Sequence, residues 1–163
     1  MHSTDLTIGA VIEKDGRYLL VEEFSQGAAV INQPGGHIEA GESPEDAVLR
    51  EVLEETGCRV VCGDLIGVYL FVHPQSCQQF LRIVYVAEYL DCDENRSLDD
   101  GIIERRWMSR EEVEEHQRVL RTPVVLRCIL DYEAGRRASD KLLFGMLPLQ
   151  NNVEAVLANA DIV

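Results

Sequence analysis

Apolar and polar residues alternate over Leu6 to Phe24, interrupted by Lys14-Asp15-Gly16-Arg17. Side chains of a half-buried strand point to opposite faces in turn, and an Asp-Gly pair suits a tight turn. This pattern predicts two antiparallel strands opening the fold. A short strand is expected at 28–32, ended by Gln33-Pro34-Gly35-Gly36-His37, where a proline and two glycines interrupt regular structure. Ser43-Pro44-Glu45-Asp46 then reads as a helix start, with Ser43 as cap, Pro44 at the first helical position and two acids in the first turn. Gly57 should stop that helix. Strands are predicted near 59–71, 79–90 and 102–107. Ser109-Arg110-Glu111-Glu112 is a capping box opening a second helix, and Thr122-Pro123 opens a third that runs to Gly135. Strands with interspersed helices imply an α+β fold, a mixed β-sheet with helices packed on it. Residues 139–163 are apolar enough to pack, but no element is assigned to them.

Composition narrows the class. The 163 residues are 46% hydrophobic and 27% charged, which fits one folded domain spanning 1–163. No apolar run reaches the length that spans a bilayer. The start, Met-His-Ser-Thr-Asp, shows no basic segment leading into an apolar core, so a cytoplasmic protein is expected. Fifteen basic residues against 29 acidic ones give −14. That charge repels polyanions, so neither DNA nor an anionic membrane is expected as partner. An anionic small molecule is repelled too, unless a divalent cation is brought to the site. The odd cysteine count, five, argues for reduced, mostly buried thiols. Cys58 and Cys62 are four apart, but no second pair or nearby histidine completes a zinc tetrahedron.

The chemistry concentrates in the first helix. At about 100° per residue, Glu51, Glu54 and Glu55 fall within an arc of roughly 100°. Like charges so placed repel one another, and they lie in the C-terminal half, where the helix dipole disfavours anions. Conflicts of this kind mark function more often than stability. Clustered carboxylate oxygens are what Mg²⁺ or Mn²⁺ requires, with waters and substrate phosphate oxygens completing the shell. The plainer alternative is a solvated acidic face. Arg50, placed to orient the acids, and the Gly-Gly loop upstream favour the metal site.

Gly36, Glu42 and Arg50-Glu51-Val52-Leu53-Glu54-Glu55-Thr56-Gly57-Cys58 resemble the Nudix box, G-x5-E-x7-R-E-U-x-E-E-x-G-U, over residues 36–58. The one departure is Cys58, where an aliphatic residue is usual. Outside the box, Asn32-Gln33-Pro34, Phe80-Leu81-Arg82, Arg106-Trp107 and Leu120-Arg121-Thr122-Pro123 look like segments of the NudJ-type bacterial subgroup, similar over 6–137. The resemblance implies an α/β/α sandwich with a loop-helix-loop motif and Mg²⁺-dependent hydrolysis of a phosphoanhydride by water. The expected substrate is a small phosphorylated metabolite, a nucleoside di- or triphosphate or a pyrimidine pyrophosphate. Glu51, Glu54, Glu55 and the Gly35 carbonyl would hold metal, Arg50 would orient the glutamates, and Glu42 would support the loop or a water on the metal. Relatives often carry an accessory acid where this chain has Gly101. Asp100, beside Asp99, ranks above Glu104 as its replacement.

Several side chains remain open between a substrate role and a structural one. Arg82 lies in an apolar strand, where it either grips phosphate or pairs with an acid. Arg121 precedes a helix start, and Gln33 is a candidate reader of a base or sugar. Glu22 and Glu23 end a strand, as substrate contacts or as a solvated edge, and Trp107 reads as core. Two other functions use the same box. An RNA 5′-end pyrophosphohydrolase would want a basic tract, which is lacking, and a non-catalytic nucleotide-sensing module would have lost box acids, which are all present. Monomer and homodimer both stay open.

Overall fold

The computed structural model describes residues 3–73 and 76–138; the segment 139–163 lies outside them. Strand β1 (Thr4–Val11) runs parallel to β6 (Gln79–Cys92), which pairs antiparallel with β5 (Cys58–Val72), giving a mixed sheet in the order β1-β6-β5. In a second sheet β3 (Arg17–Ser25) is central. It pairs antiparallel with β7 (Ile102–Met108), and with β4 (Ala28–Asn32) and the two-residue β2 (Glu13–Lys14).

This corrects the opening pair of strands. The turn at Asp15-Gly16 joins β3 only to β2, while β1 belongs to the other sheet. Burial supplies the reason. Ile8 to Ile12 and Ile83 to Tyr85 are buried without interruption, as befits parallel strands covered on both faces.

Alternate side chains of those strands face two separate cores. Ile8, Ala10, Ile12, Ile83 and Tyr85 pack with Ala47, Val48 and Val52 of α1 (Pro44–Thr56). Val11, Leu20 and Val84 pack with Val113 of α2 (Arg110–Glu115) and with Val125, Cys128 and Ile129 of α3 (Val124–Glu133). Helices on both faces make the α/β/α layering. Val48 and Val52, one helical turn apart and fully buried, each contribute about 1.5–3 kcal/mol of hydrophobic stabilisation to the seating of α1.

The ends of α1 follow local chemistry. The Ser43 hydroxyl accepts from the Asp46 N–H at 3.1 Å, and Gly57 closes the helix at φ 70°, its N–H donating to Leu53 O at 3.0 Å. The Ser109–Glu112 capping box at α2 forms reciprocally. Trp107 is half-buried against the α1-side core. The expectation of five reduced thiols is corrected at one pair. Cys58 and Cys92, 34 residues apart in sequence, are opposite each other in the β5–β6 ladder and joined by a disulfide, while Cys62, Cys77 and Cys128 are free. Among the described residues no helix is long and apolar enough to cross a membrane.

Candidate active site

The acids of α1 are organised around one cation. Arg50 donates from Nε to Glu42 Oε1 (2.8 Å) and from Nη2 to Glu42 Oε2 (2.9 Å). Its Nη1 reaches Glu51 Oε1 (2.9 Å) and Glu54 Oε2 (3.0 Å), and Nη2 also meets the His37 carbonyl (3.0 Å). The fork on Glu42 closes the loop before α1 onto the helix, and the hydrogen bonds hold the Glu42 carboxyl below the ordinary glutamate range.

Glu55 is treated differently. Its Oε2 accepts from the Gly35 N–H at 2.8 Å. Burial pushes its carboxyl up to about 8, with Glu51 and Glu23 adding repulsion that the Gly35 N–H and Arg82 only partly offset. Burial likewise raises Glu51. Two neighbouring carboxylates are therefore costly to charge as the protein stands, which is the electrostatic condition a bound cation relieves.

Gly36 makes the approach of loop to helix feasible. A Cβ there would lie 2.5 Å from Glu51 Oε1, well inside contact distance. On either side of Gly35, the Pro34 and Gly36 carbonyls accept from Ala10 and Ile8 of β1. The loop is thus anchored to the mixed sheet.

Beside this cluster opens a cavity of about 210 Å³ whose walls include Glu55, Arg82, Gln33, Arg121, Phe71 and Phe80. Arg82 is buried, lies against Gly9, where a Cβ would be 2.6 Å from its Nη2, and donates to the Gln33 carbonyl at 3.3 Å. Arg121 is gripped by Glu23 at 2.6 Å, and Glu23 also accepts from Asn32 at 3.0 Å. Phe71 and Phe80 stack with ring centroids 5.3 Å apart. Gln33 is 1% exposed and its side-chain amide lies near the Cys128 thiol, yet neither its oxygen, its nitrogen nor Thr7 Oγ1 has a hydrogen-bond partner among the described residues. Buried polar atoms so placed are expected to find a partner, and a ligand in the cavity would supply one.

The structure thus brings Arg82, Gln33 and Arg121 together with Glu55, and groups Glu51, Glu54 and Glu42 around Arg50. The accessory candidates separate. Glu104 lies on β7, paired with Arg106 at 2.7 Å, and Arg106 also binds Glu22. Asp100 is exposed in the turn before β7. Asp99 approaches most closely, with its N–H on Glu54 O at 3.1 Å and its charge acting on Glu51. Of the pair at the strand end, Glu23 belongs to the cavity wall. Sequence reading did not single out Gly9, Phe71 or Thr7. Gly9 interrupts an apolar strand, a sign of close approach by another group, whereas Phe71 and Thr7 carry no such signal.

The oxygen donors suit Mg²⁺. Glu51, Glu54 and Glu55 are hard ligands, each using one oxygen on Arg50 or Gly35 in the bonds above. Among the described residues no three acids are already gathered into a metal cage, and Mg²⁺ does not demand one, because it keeps several waters and takes substrate oxygens.

A NUDIX domain model matches residues 4–127. The chain is 34% identical over 137 residues to "Phosphatase NudJ" of Escherichia coli K12, covering 84% of this chain and 88% of that protein. A NUDIX hydrolase structure from Nitrosomonas europaea superposes with TM-score 0.84 at 41% identity, over 88% of this chain and 97% of that one. A MutT protein from Methanosarcina mazei Go1 superposes with TM-score 0.67 at 27% identity, over 83% of this chain and 98% of that one.

Proposed function

The chain belongs to the Nudix hydrolase family and is an enzyme that hydrolyses phosphoanhydrides, and from that premise we propose how its own residues do so. The substrate is a small phosphorylated metabolite whose flat organic part enters the cavity between α1 and the Phe71–Phe80 pair. Nucleoside di- and triphosphates and pyrimidine pyrophosphates have this form. The observation carrying the proposal is that Glu55, among the three glutamates of the acid cluster, lines the same cavity as Arg82, Arg121 and Gln33.

Glu51, Glu54 and Glu55, with the Gly35 carbonyl, would hold Mg²⁺, for which Mn²⁺ would substitute. Once bound, the ion would supply charge neutralisation at phosphate oxygens and a more acidic water. Arg50 fixes the glutamate rotamers through the bonds it makes to Glu51 and Glu54. Arg82, already desolvated, neutralises a phosphate oxygen at little further cost, and Arg121, steadied by Glu23, takes a second. Glu55, the acid of the cluster that lines the cavity, would accept the proton of the attacking water. The Gln33 amide, with a donor and an acceptor side by side, reads the edge of the heterocycle, and the phenyl rings cover its face.

The test is a panel of nucleoside tri- and diphosphates, dinucleoside polyphosphates, ADP-ribose and pyrimidine pyrophosphates with Mg²⁺, measuring phosphate and pyrophosphate release separately. Glu55→Gln should lower kcat by about 100-fold or more while the protein stays folded. Turnover of no panel member, or full activity in Glu55→Gln, would overturn the proposal.

A further inference from the structure

The Cys58–Cys92 pair has no part in the hydrolysis, yet it is placed where it can control it. Cys58 is the residue after Gly57, the cap of the acid helix, and Cys92 is the last residue of β6. Their Cα atoms are 3.9 Å apart, and theirs is the end pair of the β5–β6 register. Three further bonds converge on this corner. The Asp93 N–H donates to Gly57 O at 3.0 Å, the Asp99 N–H to Glu54 O at 3.1 Å, and Arg105 Nη1 to Thr56 O at 2.8 Å. The cross-link therefore ties the last turn of the helix bearing Glu54 and Glu55 to the start of the loop that carries Asp99.

We propose that Cys58 and Cys92 form a reversible thiol–disulfide site that sets the order of this corner and so the metal affinity of the acid helix. The rest of the β5–β6 ladder, from Arg59–Asp91 to Val72–Gln79, pairs through the backbone, so opening the bond at its end leaves the sheet standing. The loss is local to residues 53–57 and 93–99. Cys58 is fully buried and Cys92 half-buried, which directs an incoming thiolate to the Cys92 sulfur. A dithiol attacks there, the Cys58–Cys92 bond breaks, and Cys58 leaves as a thiolate that takes up a proton. The second thiol of the reductant then displaces Cys92. The protein gains two thiols and the reductant becomes a cyclic disulfide.

The redox site stands independently of the hydrolytic reading; only its consequence for metal rests on it. The experiment compares one polypeptide in two states, oxidised and dithiothreitol-reduced then desalted under argon. Peptide mapping should recover a Cys58–Cys92 linked peptide from the first and not the second. Hydrogen exchange at the Gly57, Asp93 and Asp99 amides should quicken about tenfold or more on reduction, while Ile83 and Val84 in mid-ladder stay protected. Mn²⁺ affinity, read by electron paramagnetic resonance, should fall at least about threefold on reduction and return on reoxidation. The double variant Cys58→Val/Cys92→Val should show the fast-exchanging behaviour whether or not reductant is added. Absence of the linked peptide, equal exchange in the two states, or a reductant effect that persists in the double variant each overturns the site. Altered exchange with Mn²⁺ bound equally in both states overturns its coupling to the helix. Mn²⁺ bound in neither state, with the exchange effect present, overturns both that coupling and the metal reading of the helix but not the redox site.

Discussion

Replacing Arg50 with methionine keeps an unbranched apolar stem and removes the guanidinium on which the acids converge. Four carboxylate contacts and one carbonyl contact disappear together. A hydrogen bond to a charged partner is worth roughly 1.5–3 kcal/mol, and such bonds are not additive when they share a group. The side chains are 24% exposed at Arg50, 14% at Glu42 and 12% at Glu51, so water screens part of the effect. An overall loss of about 2–4 kcal/mol follows, intermediate between a surface pair and a buried one. For a chain of this size that corresponds to a fall in Tm of roughly 5–15 °C.

The pH dependence has a definite sign. Arg50 lowers the Glu42 carboxyl below its unfolded value, so its stabilisation is fully present above the unfolded value and is lost as pH falls through the folded one. The gap in stability between wild type and variant is therefore widest near neutrality and narrows in acid. Divalent cation should restore part of the lost stability, because it binds the repelling acids in the folded state. Urea unfolding at several pH values, with and without Mg²⁺, measures all of this. A gap that widens in acid, or a Tm shift below about 2 °C, would refute the reasoning that Arg50 is the organising cation.

Two further outcomes are expected. Gly9→Ala places a methyl group against the Arg82 guanidinium and should raise KM about tenfold, the equivalent of one charged contact, with a smaller effect on kcat; steady-state kinetics on a substrate found in the panel checks it. Asp131→Asn removes the buried carboxylate that binds Tyr69, Arg127 and Arg136 and should cost about 2–4 kcal/mol in urea unfolding, with KM unchanged because Asp131 is not on the cavity wall.

Local signals were legible in the chain and distant ones were not. The start and stop of α1 were readable because a cap, a proline and a terminal glycine act on their own neighbours, within one turn. That Glu51, Glu54 and Glu55 share one side of α1 follows from helical geometry alone. Period-two alternation says which face a side chain takes, not which strand lies alongside, so it does not reveal that β1 pairs with β6 rather than β3. Arg82 carries no local sign of whether it meets phosphate or an acid, since one strand cannot show what its neighbours place opposite. β1 supplies Gly9, which leaves room for the guanidinium, and the loop after β4 supplies a carbonyl for it to reach.

By itself, then, the sequence determined the acid helix, the loop leading into it and, through the box, the reaction class, since each depends on residues close together along the chain. Only the tertiary structure decided that Glu55 is buried, that Arg82, Arg121 and Gln33 share its cavity, and that Cys58 meets Cys92. Burial and cross-strand contact depend on which distant segments are packed together: Gly9 meets Arg82 because β1 pairs with β6, and Glu23 meets Arg121 because the chain before α3 lies along β4, next to β3.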